Sequence, residues 1–212
     1  MSHEILFDAS FFLFLLLIDR DIAARAHLQR CPYCGGMLDV ADYCRKPRGA
    51  MCELPDGFDV RYSLCCRTDG CRRRRTPASI RFLDRRVYLG VVTVIVATMR
   101  HGNAHHRLKR LQAELGVDFH TIQSWRHFWT DLFPVGDRGK ILRAWFPEGG
   151  SSDELLSSSW KRLSASATTA RETAVAIARM LLKVMTNGIE FGEKMIEQLS
   201  VIAYPQETPT DG

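Results

Sequence analysis

Cys31-Pro32-Tyr33-Cys34-Gly35-Gly36 and, about thirty residues on, Cys65-Cys66-Arg67-Thr68-Asp69-Gly70-Cys71 decide how this chain is read. Two cysteines separated by two residues and followed by glycine fit a tight turn. Such a turn aims both thiolates at one ion while backbone N–H groups stabilise their charge. Cys66 and Cys71 offer a second pair. Four thiolates gathered from two turns close a tetrahedral site, the pattern of a structural rather than a catalytic zinc ion. The sequence between the pairs is too short and polar to build a core, so the metal would supply folding free energy directly. The neighbouring arginines would lower the thiolate pKa values. Cys65 and Cys66 point to opposite sides of an extended chain, so only one of them ligates easily; Cys66 is favoured and Cys65 is the alternative. Cys44 and Cys52 fall outside the spacing and are read as non-ligands. A set of unrelated buried or free cysteines is the competing reading, and a redox dithiol would need a βαβ context that the sequence lacks.

Working outward, the chain has 212 residues, 46% hydrophobic and 25% charged, which suits one or two small globular domains and argues against a disordered or collagen-like chain. Its net charge of +5 is local. Residues 61–86 hold nine arginines against Asp69 and Asp84, an excess of seven that leaves the rest of the chain at −2. Arg72, Arg73, Arg74 and Arg75 form its densest run, followed by Arg81, Arg85 and Arg86. Guanidiniums so placed would neutralise phosphates and hold a duplex by its backbone, with little sequence information; a solvated arm is the plainer reading.

The most apolar stretch, Phe11–Ile18, is closed in by Asp8 and Asp19 and is far shorter than the roughly 20 residues of a spanning helix. No lysine or arginine precedes it, so an export signal is not expected. Residues 1–30 are instead expected to form an apolar helix over Glu4–Arg30 that packs on the core. Seven cysteines without an export signal suggest a reducing compartment, where clustered cysteines mean metal more often than disulfide; the expectation is a cytoplasmic, nucleoid-associated protein with no membrane partner. Residues 31–86 follow as the cysteine-rich segment with its basic block, with short strands expected at Asp59–Leu64 and Ile80–Leu83. Residues 87–133 turn helical, with helices expected over Val87–Met99, Ala104–Leu115 and His120–Phe133. Residues 134–150, with two prolines and four glycines, read as a linker. Residues 151–204 open on a Ser151-x-x-Glu154 capping box, carry an amphipathic helix over Ala167–Thr186 and end in a short helix to about Ile202. The tail 205–212 reads as disordered. The fold class expected is mainly α with a small β zinc ribbon, a helical bundle containing a helix-turn-helix.

The helix-turn-helix lies in residues 107–129. With Gly116 as the turn, the apolar sites that hold two such helices together fall on Leu111, Leu115, Val117, Ile122 and Trp125, and all five fit. Gln112 stands where a small residue is usual. The opposite face of the second helix presents His120, Thr121, Gln123, Ser124, Arg126 and His127, hydrogen-bonding groups suited to base edges and phosphates in a major groove. An ordinary helical hairpin with a wet polar face is the alternative.

CPYCGG, ADYCRKPRG, RYSLCCRTDGCRRRRTPASIRFLDRRVYLG and LGVDFHTIQSWRHFW together resemble an uncharacterised bacterial family of zinc-ribbon plus helix-turn-helix proteins, and the N-terminal DNA-binding regions of insertion-sequence transposases. The resemblance spans roughly residues 25–135. It implies a four-cysteine zinc ribbon on Cys31, Cys34, Cys66 and Cys71, a DNA-reading helix at 120–129, and no catalytic residue. Other members have proline where this chain has Cys44, which keeps Cys44 out of the site.

The function expected is therefore double-stranded DNA binding by an accessory or regulatory protein of a mobile element, with structural zinc as its cofactor. No enzyme is expected: residues 137–212 are helical in pattern, and the chain lacks a nucleophile elbow, phosphate loop or His-Glu-x-x-His. Tyr204 is poor evidence for a tyrosine recombinase. The alternative is a protein-interaction module that docks a recombinase, transposase or polymerase partner. The stripe on Ala167–Thr186 (Ala174, Ile177, Ala178, Leu181, Val184 and Met185) packs either on Phe11–Leu17 or as a homodimer seam.

Overall fold

In the computed structural model, the residues described are 4–82, 90, 92–93, 109, 112–113, 115–145, 158, 165, 167–186 and 193–205. They form a mainly helical protein with two small antiparallel sheets. A 3-10 turn over Glu4–Phe7 leads into helix α1, Ala9–Leu28. The Asp8 carboxylate caps α1, accepting from Ser10 N–H at 2.9 Å. Phe11, Phe12, Phe14, Leu15, Leu16 and Ile18 are all buried. A helix this apolar on every side belongs inside a fold, and α1 is the central one. No helix among the described residues is long and apolar enough to cross a membrane.

Two helices from the far end of the chain cover α1: α4, Ala170–Met185, and α5, Glu193–Ala203. Ala174, Ile177, Ala178, Leu181 and Met185 are at most 4% exposed and share one core with Phe11–Ile18. These five residues of the stripe are therefore covered within the chain. The Tyr204 hydroxyl donates to Asp8 at 2.6 Å, tying the end of α5 to the cap of α1. Burial and then the adjacent Asp8 carboxylate push the Tyr204 phenol well above its ordinary range.

The middle of the chain supplies helix α2, Phe119–His127, capped by Asp118, whose carboxylate accepts from Thr121 N–H at 2.7 Å. A π-helical turn, Phe128–Leu132, and a short helical turn, Phe133–Val135, follow directly. Trp129 in the π turn is buried and donates its indole N–H to Thr93 at 3.1 Å. The expected linker 134–150 holds helix α3, Asp137–Trp145, which packs against α4. Gly139 serves packing rather than flexibility. A Cβ on Gly139 would lie 2.1 Å from the Phe133 carbonyl oxygen, so only glycine lets α3 fold back on the preceding turn.

Along the chain, the small sheets come between α1 and α2. β1 (Leu38–Val40), β4 (Leu64–Cys66) and β5 (Arg74–Arg75) form one antiparallel sheet in the order β1-β4-β5. β2 (Tyr43–Cys44) and β3 (Val60–Arg61) form the other. The strand expected at Ile80–Leu83 does not form at Ile80 and Arg81, because side chains take their backbone N–H groups. Asp19 accepts from Ile80 N–H at 2.8 Å and Ser79 Oγ from Arg81 N–H at 3.1 Å. The helices expected over 87–99 and 104–115 and the capping box at Ser151 fall largely or wholly outside the described residues, as do Leu111 and the tail beyond Pro205. Gly90, Val92, Thr93, Lys109, Gln112, Ala113 and Leu115 are helical.

Candidate metal centre

Four sulfurs meet at the end of the first sheet. Cys31 follows α1 closely, and the turn after it is closed by Cys31 N–H to the Gly36 carbonyl and Gly35 N–H to the Cys31 carbonyl, both at 2.8 Å. Gly35 takes φ +73°, a left-handed conformation that glycine adopts without strain. The second turn leaves β4 and returns through Gly70 at φ +83°, with Cys71 N–H bound to the Thr68 carbonyl at 3.1 Å. The pairing of β1 with β4 sets Cys66 opposite Leu38 and Cys65 opposite Asp39. Cys66 therefore faces a small core of Ala26, Cys31, Leu38 and Leu64, while Cys65 faces the other way with its thiol toward the Arg72 carbonyl at 3.5 Å.

The Sγ atoms of Cys31, Cys34, Cys66 and Cys71 all lie within 4.8 Å of one another. Cys31 to Cys71 is 3.8 Å and Cys34 to Cys66 is 3.4 Å. A tetrahedral ion with metal–sulfur bonds of about 2.3 Å requires sulfurs about 3.8 Å apart, so the cage fits an ion such as zinc. These separations are too long for disulfides, and all seven cysteines are free thiols. The Cys34 thiol is held below its ordinary value by the Gly36 N–H and then by the Cys66 and Cys71 thiols. The Arg73 N–H acts in the same sense on Cys71, but desolvation and the three neighbouring thiols outweigh it and push Cys71 up to about 11. Crowding thiolates together is electrostatically unfavourable, and a cation at their centre would relieve it.

Gly36 is the residue that sequence spacing alone did not single out. A Cβ there would lie 2.1 Å from Thr68 Oγ1 and 3.3 Å from the sulfurs of Cys34 and Cys66. The second glycine after the cysteine pair is thus a packing requirement of the cage. Cys44 and Cys52 lie outside the cluster.

The basic block disperses in the fold. Arg61 and Arg81 are buried, at 7% and 0% exposure, so neither belongs to a basic surface. Burial lowers the Arg61 guanidinium's pKa, and Arg81 pairs with Asp19 through Nε at 2.8 Å. Arg67 pairs with Asp39, Arg72 with Asp69, and Arg75 donates to the Gln29 side chain. Arg73 lies over the Tyr33 ring at 4.4 Å and Arg74 over the Tyr43 ring at 5.5 Å. Arg85 and Arg86 lie outside the described residues.

On α2, Ile122 and Trp125 are buried, as are Leu115 and Val117 before it, and Gly116 between them has φ +60°. His120, Gln123, Ser124 and His127 are exposed. Thr121 is half-buried and engaged with Asp118 through both its N–H and its hydroxyl. The Asp118 carboxylate occupies the helix N-terminus, and the Thr121 N–H holds it below its ordinary range. His127 pairs with Asp131 at 2.6 Å, and this hydrogen bond, followed by that from Thr130, lowers the Asp131 pKa. Arg126 is half-buried, with one Nη atom enclosed and lacking a hydrogen-bond partner among the described residues. It sits less openly than a helical wheel suggests.

Comparison with protein-family models, with curated proteins and with solved structures finds no match to this chain.

Proposed function

We propose that this chain is a DNA-binding protein in which a zinc ribbon on Cys31, Cys34, Cys66 and Cys71 presents arginines to phosphates and a helix-turn-helix around Gly116 presents α2 to a major groove. The observation that carries the reading is the four-sulfur cage with an arginine run beside it: Arg72 and Arg73 link Cys71 to β5, so the metal would fix the segment that bears Arg73 and the β5 residues Arg74 and Arg75. The burial of Leu115, Val117, Ile122 and Trp125 around a left-handed Gly116, with His120, Gln123, Ser124 and His127 outward, supports the second element. The role that fits is regulation or accessory targeting for a mobile element, without catalysis by this chain.

A gel shift of the zinc-loaded protein on duplex DNA across a salt series tests the reading. With about four phosphates neutralised, affinity should fall on the order of a hundredfold between about 50 and 200 mM salt. Binding that ignores salt, or no binding at all, contradicts it. In that case docking to a recombinase or polymerase partner becomes the better account.

A further inference from the structure

We propose that the sheet edge beside the cysteine cluster binds an unpaired stretch of nucleic acid, with the Tyr33 ring as platform for a base and Arg73 and Arg74 on the adjoining phosphates. The inference rests on the nucleic-acid reading above and names the form of the ligand at this edge.

Tyr33 stands between two cysteines of the cluster, at the tip of a turn whose geometry those cysteines fix. It cannot retreat into a core and is 61% exposed. One face of its ring is covered by the Arg73 guanidinium at 4.4 Å. A second pair repeats the arrangement one residue along, where Arg74 lies over Tyr43 at 5.5 Å and Arg45 approaches the same ring at 5.8 Å.

The pairing matters because of what it leaves free. Arg67 and Arg72 spend donors on Asp39 and Asp69, Arg75 on Gln29, and Arg61 and Arg81 are buried. Arg73 and Arg74 are exposed and have neither ion pair nor hydrogen-bond acceptor among the described residues. A guanidinium stacked on a ring is held in place with its N–H fork unspent, so less freedom is lost when it meets a phosphate. The same ion pairs neutralise Asp39 and Asp69, the acids beside the run, and leave the field at Arg73 and Arg74 positive.

The placement suits a single strand. β5 is the outer strand of the order β1-β4-β5; Arg73 just before it and Arg74 at its start lie over different rings, Tyr33 and Tyr43. A sugar-phosphate chain following that edge would meet the two guanidiniums in succession. Phosphates alone would not require an exposed tyrosine at Tyr33. In a duplex, the base faces are covered by their neighbours, so a ring at a turn tip can stack only on a base outside the helix.

The test uses the full zinc-loaded chain and fluorescence anisotropy with labelled oligothymidylate and, separately, a duplex of equal length. Wild type should bind the single strand. Tyr33→Ala should lose on the order of 5- to 150-fold of that affinity, keep its zinc, and bind duplex within about twofold of wild type. Tyr33→Phe should keep single-strand affinity. Tyr33→Leu, which covers Arg73 but offers no π-face, should lose as much as alanine. Arg73→Ala should weaken single-strand binding and reduce its salt slope by about one. Duplex binding with no binding of oligothymidylate overturns this proposal and leaves the DNA-binding reading standing. Absence of both overturns both. Equal affinities for the phenylalanine and leucine variants also overturn it, since stacking would then play no part.

Discussion

Arg81 lies in the basic run by sequence and in the core by structure, and removing its partner measures which description governs it. Asp19, 1% exposed, accepts from the Ser79 hydroxyl, from Ile80 N–H at 2.8 Å and from Arg81 Nε at 2.8 Å. Arg81 is fully buried and also donates to the carbonyls of Phe58 at 2.6 Å and Val60 at 2.9 Å. Asp19→Ala deletes three accepted hydrogen bonds and leaves a guanidinium charge in the core without its counter-ion. Breaking a buried pair in this way costs about 3–5 kcal/mol, a large share of the roughly 5–15 kcal/mol by which domains are stable. Asp19→Leu combined with Arg81→Leu removes both charges and should cost less than the two single changes added together. Urea unfolding of the zinc-loaded protein, followed by circular dichroism, gives these values. A loss under about 1 kcal/mol for Asp19→Ala, or strict additivity in the double variant, would refute the reasoning and return Arg81 to the basic surface.

Gly36→Ala should weaken metal binding by roughly 10- to 100-fold, the usual effect of disturbing the groups around a metal's ligands, because the new methyl would occupy the position of Thr68 Oγ1; chelator competition measures it, and an unchanged affinity would contradict the cage geometry. Trp125→Ala should cost about 3–5 kcal/mol and Gln123→Ala under about 0.5 kcal/mol in thermal unfolding, since one is buried and the other exposed; equal losses would mean α2 is turned differently. Thr169 and Glu172 form a capping box at the start of α4, and Thr169→Ala should cost about 1 kcal/mol. The Glu172 carboxyl is held below its ordinary value by Thr168 N–H, then by the Thr168 hydroxyl and Thr169 N–H. A folded pKa below the unfolded one means that this contribution is complete above the ordinary Glu value near pH 4.5 and is lost as pH falls through the lowered folded value. Glu172→Gln should therefore be less stable than wild type at neutral pH and equal to it in strong acid; a pH-independent difference would contradict this.

Local chemistry was legible in the sequence where spacing dictates geometry. The two cysteine pairs, the choice of Cys66 over Cys65 from strand alternation, and the helix over 170–185 all follow from patterns that a few residues contain. The packing of the α4 stripe against Phe11–Ile18 was legible as one of two alternatives, and complementary small and large side chains decide it. What was not legible depends on contacts distant in the chain. Arg61 and Arg81 look like Arg73 and Arg74 in sequence; the Asp19 carboxylate, some sixty residues earlier, and the carbonyls of Phe58 and Val60 hold Arg81 inside. Gly139 reads as part of a linker in the sequence, because a glycine needed for close approach is spelled the same as one needed for flexibility. Beside the capping box expected at Ser151, the structure forms one of the same kind at Thr169-x-x-Glu172, where threonine takes the place of serine.

The central claim is that Cys31, Cys34, Cys66 and Cys71 hold one metal ion that organises the basic edge. Elemental analysis of the purified, reduced protein, combined with a thiol-reactivity count on the same sample, tests it most directly. One zinc per chain should be found. Of the seven cysteines, four should be protected until chelator is added, while exposed Cys44 reacts readily and half-buried Cys52 and Cys65 react more slowly without needing chelator. Cys31→Ser should abolish the metal and Cys44→Ser leave it intact. A reduced, folded protein without metal, or equal effects of these two substitutions, would contradict the account.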